Sequence, residues 1–182
     1  MKFRAKIAAL STVGAAAAMV LTATPALAST AVTGPESAYG VIYGKAATAN
    51  NPVIPTAWYG LVSAHGVFST GGSAPKKGQH HTFYTSAGNL TAEVTAPPAN
   101  QQSQNLKACH FWFATYVDFK IVGGTGRFAG ASGSGAVEVY FAGYGPRYTS
   151  GKKKGQCNTS PSAPELAKGA VASFLLSAVM TR

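Results

Sequence analysis

Over residues 107–122 the side chains alternate between an apolar and a mixed face, and few folds can accommodate such a run. Phe111, Phe113, Thr115, Val117, Phe119 and Ile121 fall on one face, and His110, Trp112, Ala114, Tyr116, Asp118 and Lys120 fall on the other. An extended backbone sends successive side chains to opposite sides, so this pattern predicts a long strand with one face in a core. The opposite face mixes aromatic and polar groups, which suits either an outer surface or the wall of a lined cavity. Residues 136–143 repeat the theme, with Val137, Val139 and Phe141 set against Glu138 and Tyr140.

Strand signals are dense elsewhere between residues 35 and 150, and helix signals are scarce. Residues 37–49 read as a first strand closed by Asn50-Asn51-Pro52. Residues 56–70 form a second, longer run with Trp58, Leu61, Val62, Val67 and Phe68, followed by a turn at 71–75. Residues 79–85 and 89–96 predict a hairpin joined through Ser86-Ala87-Gly88. Pro97-Pro98 and the polar stretch to Asn105 read as a flexible loop. Six glycines in residues 123–135 imply tight turns or close backbone approach. Residues 144–163 form a further loop.

The C-terminal segment is open to two readings. As a helix it would set Leu166, Ala170, Phe174 and Ala178 along one side. As a strand over 170–181 it would set Ala172, Phe174, Leu176, Ala178 and Met180 on one face, and the all-β context favours the strand. Short strands punctuated by turns at close intervals predict an all-β sandwich or barrel.

The N-terminus has the three parts of a secretory signal peptide. Lys2, Arg4 and Lys6 precede a largely apolar, Ala-rich stretch, and Pro25 breaks it before Ala26-Leu27-Ala28. Residues 1–28 are therefore expected to be removed between Ala28 and Ser29, leaving a single domain of 154 residues over 29–182 in the extracellular space. No later segment is apolar enough over the ~20 residues that a membrane-spanning helix needs, so no transmembrane anchor is expected. Cys109 and Cys157 are an even pair in an oxidising compartment, which predicts a disulfide.

The exported chain carries twelve basic residues against five acids, a net charge of +7 with histidine neutral. Such an excess can attract polyanions. The charge is thinly spread, however, and only Lys152-Lys153-Lys154 forms a run. Nucleic acid is not an expected partner, and an anionic envelope polymer contacting that loop is the basic run's functional reading.

One stretch carries a family likeness. Phe119-Lys120-Ile121-Val122-Gly123-Gly124-Thr125-Gly126-Arg127-Phe128-Ala129-Gly130-Ala131-Ser132-Gly133 resembles a signature of the allene oxide cyclase-like and dirigent-like barrels. The whole exported chain is similar to small secreted Gram-positive bacterial proteins with this barrel. The resemblance implies a single antiparallel barrel of about eight strands, closed by the C-terminal segment, with Phe128 packed beneath it. It also implies a barrel cavity for an apolar or phenolic molecule. It assigns no catalytic residue.

Other motifs carry less. Gly124-Thr125-Gly126-Arg127-Phe128-Ala129 fits a loose dinucleotide pattern, but small residues and no helix follow it, so no cofactor is expected. His65, His80, His81 and His110 show no converging spacing; no metal site is expected, and they read as solvated histidines. Acid–base chemistry would fall to Asp118 or Glu138, which share the mixed faces of neighbouring strands; facing solvent instead, they would pair with Lys120. Trp112, Tyr116 and Tyr140 are the candidate ligand-contacting aromatics on those faces. Three functions compete: a binder of a small apolar or aromatic ligand, an enzyme of the cyclase or dirigent kind, and an envelope-associated protein with a solid barrel.

Overall fold

A computed structural model describes residues 30–49, 51–69, 75–160, 163 and 166–182. The expected signal peptide and its Ala28-Ser29 cleavage point lie outside these, as does most of the predicted turn at 71–75. Nine strands build the unit spanning residues 31–182: β1 (Thr33–Tyr43), β2 (Val53–Gly60), β3 (Ala64–Ser69), β4 (His80–Thr85), β5 (Gly88–Val94), β6 (Ala99–Asn105), β7 (His110–Gly124), β8 (Ser132–Tyr144) and β9 (Leu166–Thr181). Every pairing is antiparallel. Eight strands close in the order β1-β2-β3-β4-β5-β7-β8-β9, and β9 returns to β1 from Thr33↔Thr181 through Tyr43↔Val171. The fold is a closed eight-stranded antiparallel barrel with β6 as an added ninth strand.

Alternation explains the inside of this barrel. Along β9, Ala172, Phe174, Leu176, Ala178 and Met180 are buried, while Leu175, Ser177 and Val179 are exposed. Strand pairing on both sides turns a segment with helical propensity into a strand, since β1 and β8 supply partners for both of its edges. Val117, Phe119 and Ile121 of β7 are buried, and Asp118 and Lys120 are exposed. From Tyr116 to Lys120 the mixed face of β7 is therefore the outer surface, whereas Ala114 on the same face is buried.

Three expected elements differ from what forms. The first strand, expected over 37–49, runs from Thr33 to Tyr43, and a 3-10 turn over Gly44–Ala46 ends it. The run over 56–70 is not one strand: it breaks at Leu61-Val62-Ser63 into the β2–β3 hairpin. Those residues carry little turn chemistry of their own; the Glu36 carboxylate of β1 holds the turn instead, accepting a hydrogen bond from the Val62 amide at 3.0 Å. Residues 99–105 are not a loop but β6. They pair with the first half of β7 (Ala99↔Tyr116 to Asn105↔His110), along the edge that β5 occupies over its second half (Val94↔Phe119 to Leu90↔Gly124). Every β6 residue is exposed, so this strand has no apolar alternation to betray it.

One end of the barrel is plugged. Trp58, Phe128, Leu90, Val62 and Met180 are all buried, and Trp58 meets Phe128 edge-on at 5.9 Å and Phe83 at 5.7 Å. The Gly-Gly-Thr-Gly turn positions Phe128. The Thr125 amide donates to the Asn89 carbonyl at 2.8 Å, the Thr125 hydroxyl accepts from the Asn89 amide at 3.0 Å, and the Arg127 amide donates to the Ala87 carbonyl at 2.8 Å. A Cβ on Gly124 would stand 2.6 Å from the Phe128 Cβ, and Gly126 adopts φ +59°, a conformation that glycine takes without strain.

Candidate functional site

The other end of the barrel is open and holds a cavity of about 420 Å³. Volumes of about 300–1,000 Å³ are typical of small-molecule sites. Phe83 of β4, Ala92 and Val94 of β5, Val117 and Phe119 of β7, and Val137, Val139 and Phe141 of β8 line it. Phe68 lines the cavity from β3 and stacks on Phe174 at 4.3 Å, so one wall is backed by a packed aromatic pair. Phe113 and Asn100 also contribute, because β6 and the first half of β7 carry the sheet past the end of β5.

Few polar side chains line this space. Thr115 donates to the Asn100 side-chain oxygen at 3.0 Å, so these two occupy one another. His81 is different. It sits on β4 opposite Ala92, its Nε2 is buried, and no hydrogen-bond partner reaches that nitrogen. Burial pushes the His81 imidazole below the ordinary histidine value, which keeps it neutral at pH 7. No Asp, Glu, Lys or Arg lines the cavity among the described residues.

The adjacent histidine has the opposite fate. His80 points outward, with its Nε2 3.4 Å from Glu93, and Lys120 reaches the same carboxylate oxygen at 3.0 Å. The Lys120 hydrogen bond, ahead of its charge and of His80, holds Glu93 below the ordinary carboxylate value. Glu93 is thus the partner of Lys120, in place of the expected Asp118 or Glu138.

Asp118 is exposed on the outer face of β7. Glu138 is half-buried on β8, across from Tyr116, whose hydroxyl lies 3.5 Å from its Oε1. Trp112 stacks on Tyr140 at 6.1 Å with an interplanar angle of 26°. Of the three nominated aromatics, only Tyr140 is among the residues lining the cavity. Lys152, Lys153 and Lys154 are exposed, and the Lys153 ammonium lies 5.6 Å from the Tyr148 ring centre. No group of three or more His, Cys, Asp and Glu side chains converges among the described residues.

The expected disulfide is not formed. Cys109 and Cys157 are free thiols outside bonding distance. A hydrogen bond from the Cys157 thiol to Cys109, with some burial, pushes that thiol up from its ordinary value. Cys109 closes the β6–β7 turn at φ +53°, with its sulfur 4.0 Å from the carbonyls of Leu106 and Pro146. Counting cysteines gives a pair, but the turn decides where each sulfur stands.

Two residues matter more than their sequence context suggests. His81 reads as a solvated histidine, yet its parity with Phe83, two residues on, places it inward once residues 80–85 form a strand. Glu36 is 1% exposed inside the plugged end, with Oε2 on the Val62 amide and Oε1 buried without a partner. Desolvation pushes its carboxyl above the ordinary value, against the lowering effect of the Val62 and Leu61 amides, Arg182 and Arg127. No protein-family model, curated protein or solved structure matches this chain.

Proposed function

We propose that this is an exported barrel protein that holds a small apolar or aromatic molecule in the open end of its barrel. The observation that carries the reading is the cavity of about 420 Å³, lined by aromatic and aliphatic side chains and backed by a plugged base. Apolar walls of this extent gain from contact with an apolar molecule in place of water. Export is supported by the charged, apolar and small-residue sections of residues 1–28. Membership of the allene oxide cyclase-like and dirigent-like barrels is part of the same proposal. Its support is the Gly123-Gly124-Thr125-Gly126 turn beneath which Phe128 is wholly buried.

An enzyme acting through Asp118 or Glu138 gains no support from the geometry, since neither carboxylate lines the cavity. The basic loop offers a separate contact for an anionic envelope polymer through its exposed lysines. Changing Lys152, Lys153 and Lys154 together to Gln should abolish salt-sensitive retention on wall material; retention unaffected by salt or by the change would exclude that contact.

The neutral fluorophore N-phenyl-1-naphthylamine tests the cavity. Saturable uptake of one probe per chain is expected, and Val139→Trp, which fills the space from β8, should block it. Uptake that Val139→Trp leaves intact would place the probe elsewhere and refute the reading.

A further inference from the structure

We propose that the molecule held in the barrel is an uncharged, largely apolar compound bearing one hydroxyl group, and that His81 binds that hydroxyl; this rests on the cavity reading above. An anionic head would need a cation beside it, and a cationic head would need a carboxylate; the described lining offers neither. A charged group held inside the cavity would lose its hydration without replacement, so the part of the occupant inside the barrel is uncharged.

Five polar side chains line the cavity, Ser69, His81, Asn100, Thr115 and Tyr140, and among them His81 holds the buried atom that has no hydrogen-bond partner. The His81 Nε2 is buried without a partner, whereas the Thr115 hydroxyl and Asn100 amide oxygen already bond to each other. A buried polar atom left unpaired carries a desolvation penalty that a ligand group removes on binding. Neutral imidazole presents one donor and one acceptor nitrogen, and either can be Nε2. A hydroxyl both donates and accepts, so it satisfies His81 in either tautomer. A carbonyl or ether satisfies only one. Beyond His81 the surroundings are Phe83, Phe119, Val94 and Val117, which suit an apolar body.

The position of His81 follows from strand parity. His80 is committed outside to Glu93, and Phe83 shares the inward face with His81. The site is thus fixed by β4 and its pairing with β5 from His80↔Glu93 to Thr85↔Gly88, not by a loose loop.

Displacement of N-phenyl-1-naphthylamine by decan-1-ol, undecane and decanoate at pH 7.5 tests this, read on the wild-type protein, His81→Leu and His81→Gln. The preference for decan-1-ol over undecane should fall about tenfold in His81→Leu and be largely retained in His81→Gln, whose amide can still donate and accept. Decanoate should displace the probe at least tenfold more weakly than decan-1-ol from the wild-type protein, on the order expected for burying an unpaired charge. His81→Phe, read in parallel, supplies the same comparison if the leucine protein does not fold. Probe uptake with an unchanged alcohol-to-alkane ratio, or decanoate binding tighter than the alcohol, overturns this inference alone. Failure of the wild-type protein to take up the probe overturns the cavity reading and this inference with it.

Discussion

Replacing Glu36 by Gln should remove a pH dependence of stability without loosening the plugged end of the barrel. The Glu36 side chain is 1% exposed, one oxygen accepts from the Val62 amide at 3.0 Å, and the other is buried with no partner. Burial raises its carboxyl pKa, so the folded chain binds this proton more tightly than the unfolded chain does. The contribution to stability is therefore fully present below the unfolded value of about 4.3 and is lost as pH rises through the folded value. As pH rises and this carboxyl ionises, the wild-type protein comes to hold a buried carboxylate with one oxygen unsatisfied. Gln keeps an acceptor for the Val62 amide and removes the charge. A buried unpaired polar group costs about 1–3 kcal/mol, and a charged one more, so Glu36→Gln should be more stable than wild type by about 1 kcal/mol at pH 8. At pH 4 the two should converge. Glu36→Ala should lose about 2 kcal/mol at pH 4, since it strands the Val62 amide and opens a void.

Urea unfolding of the three proteins at pH 4, 6 and 8 reads these differences directly. Taking each variant against wild type at the same pH cancels Glu93, whose lowered pKa works in the opposite direction: its stabilisation is present above the unfolded value and lost as pH falls. A Glu36→Gln protein about 2 kcal/mol less stable than wild type at pH 8 would overturn this view of Glu36. It would mean that Arg127 and Arg182, with the two backbone amides, outweigh desolvation and favour the charge.

Phe128→Ala removes the plug under Trp58 and should cost about 3–5 kcal/mol by thermal or urea unfolding; a loss below about 1 kcal/mol would show that the base is not packed on that ring. Asp118→Asn and Glu138→Gln should leave probe uptake unchanged, because neither side chain lines the cavity; loss of uptake in either folded variant would place a carboxylate in the site after all. Lys120→Met should raise the Glu93 carboxyl pKa, followed by carboxyl NMR; no movement would show that the 3.0 Å contact does not hold the charge.

The barrel is legible in the sequence wherever one face of a strand is buried. Residues 107–122 and 170–181 announce their inner faces because apolar side chains recur at every second position, and period-two burial then fixes which residues meet. Where burial does not discriminate, the sequence is silent. β6 is exposed along its whole length, so Gln101, Gln102, Ser103 and Gln104 look like a loop although they pair with β7 throughout. The β2–β3 turn is hidden for another reason: Leu61 and Val62 are apolar, and the group that holds them in a turn comes from Glu36, twenty-six residues earlier than Val62.

The site is harder to read than the fold. Trp112, Tyr116, Asp118 and Glu138 stand out because aromatic and acidic residues share one face, yet that face is the outer wall. Tyr39, Tyr59 and Tyr84 are exposed as well, so aromatic residues mark both sides of this barrel and cannot by themselves tell inside from outside. His81 depends on parity with Phe83, which requires the register of β4 to be known. The cavity depends on β5 ending at Val94 while β7 continues, a three-dimensional fact with no local sequence signal.

Whether the barrel leaves the cell filled can be read by native mass spectrometry of the protein recovered from its own culture medium. A filled, exported barrel gives a chain beginning at Ser29 that carries a reproducible extra mass, lost on denaturation, from a neutral molecule. A bare chain that also fails to take up N-phenyl-1-naphthylamine would mean that the cavity holds no ligand.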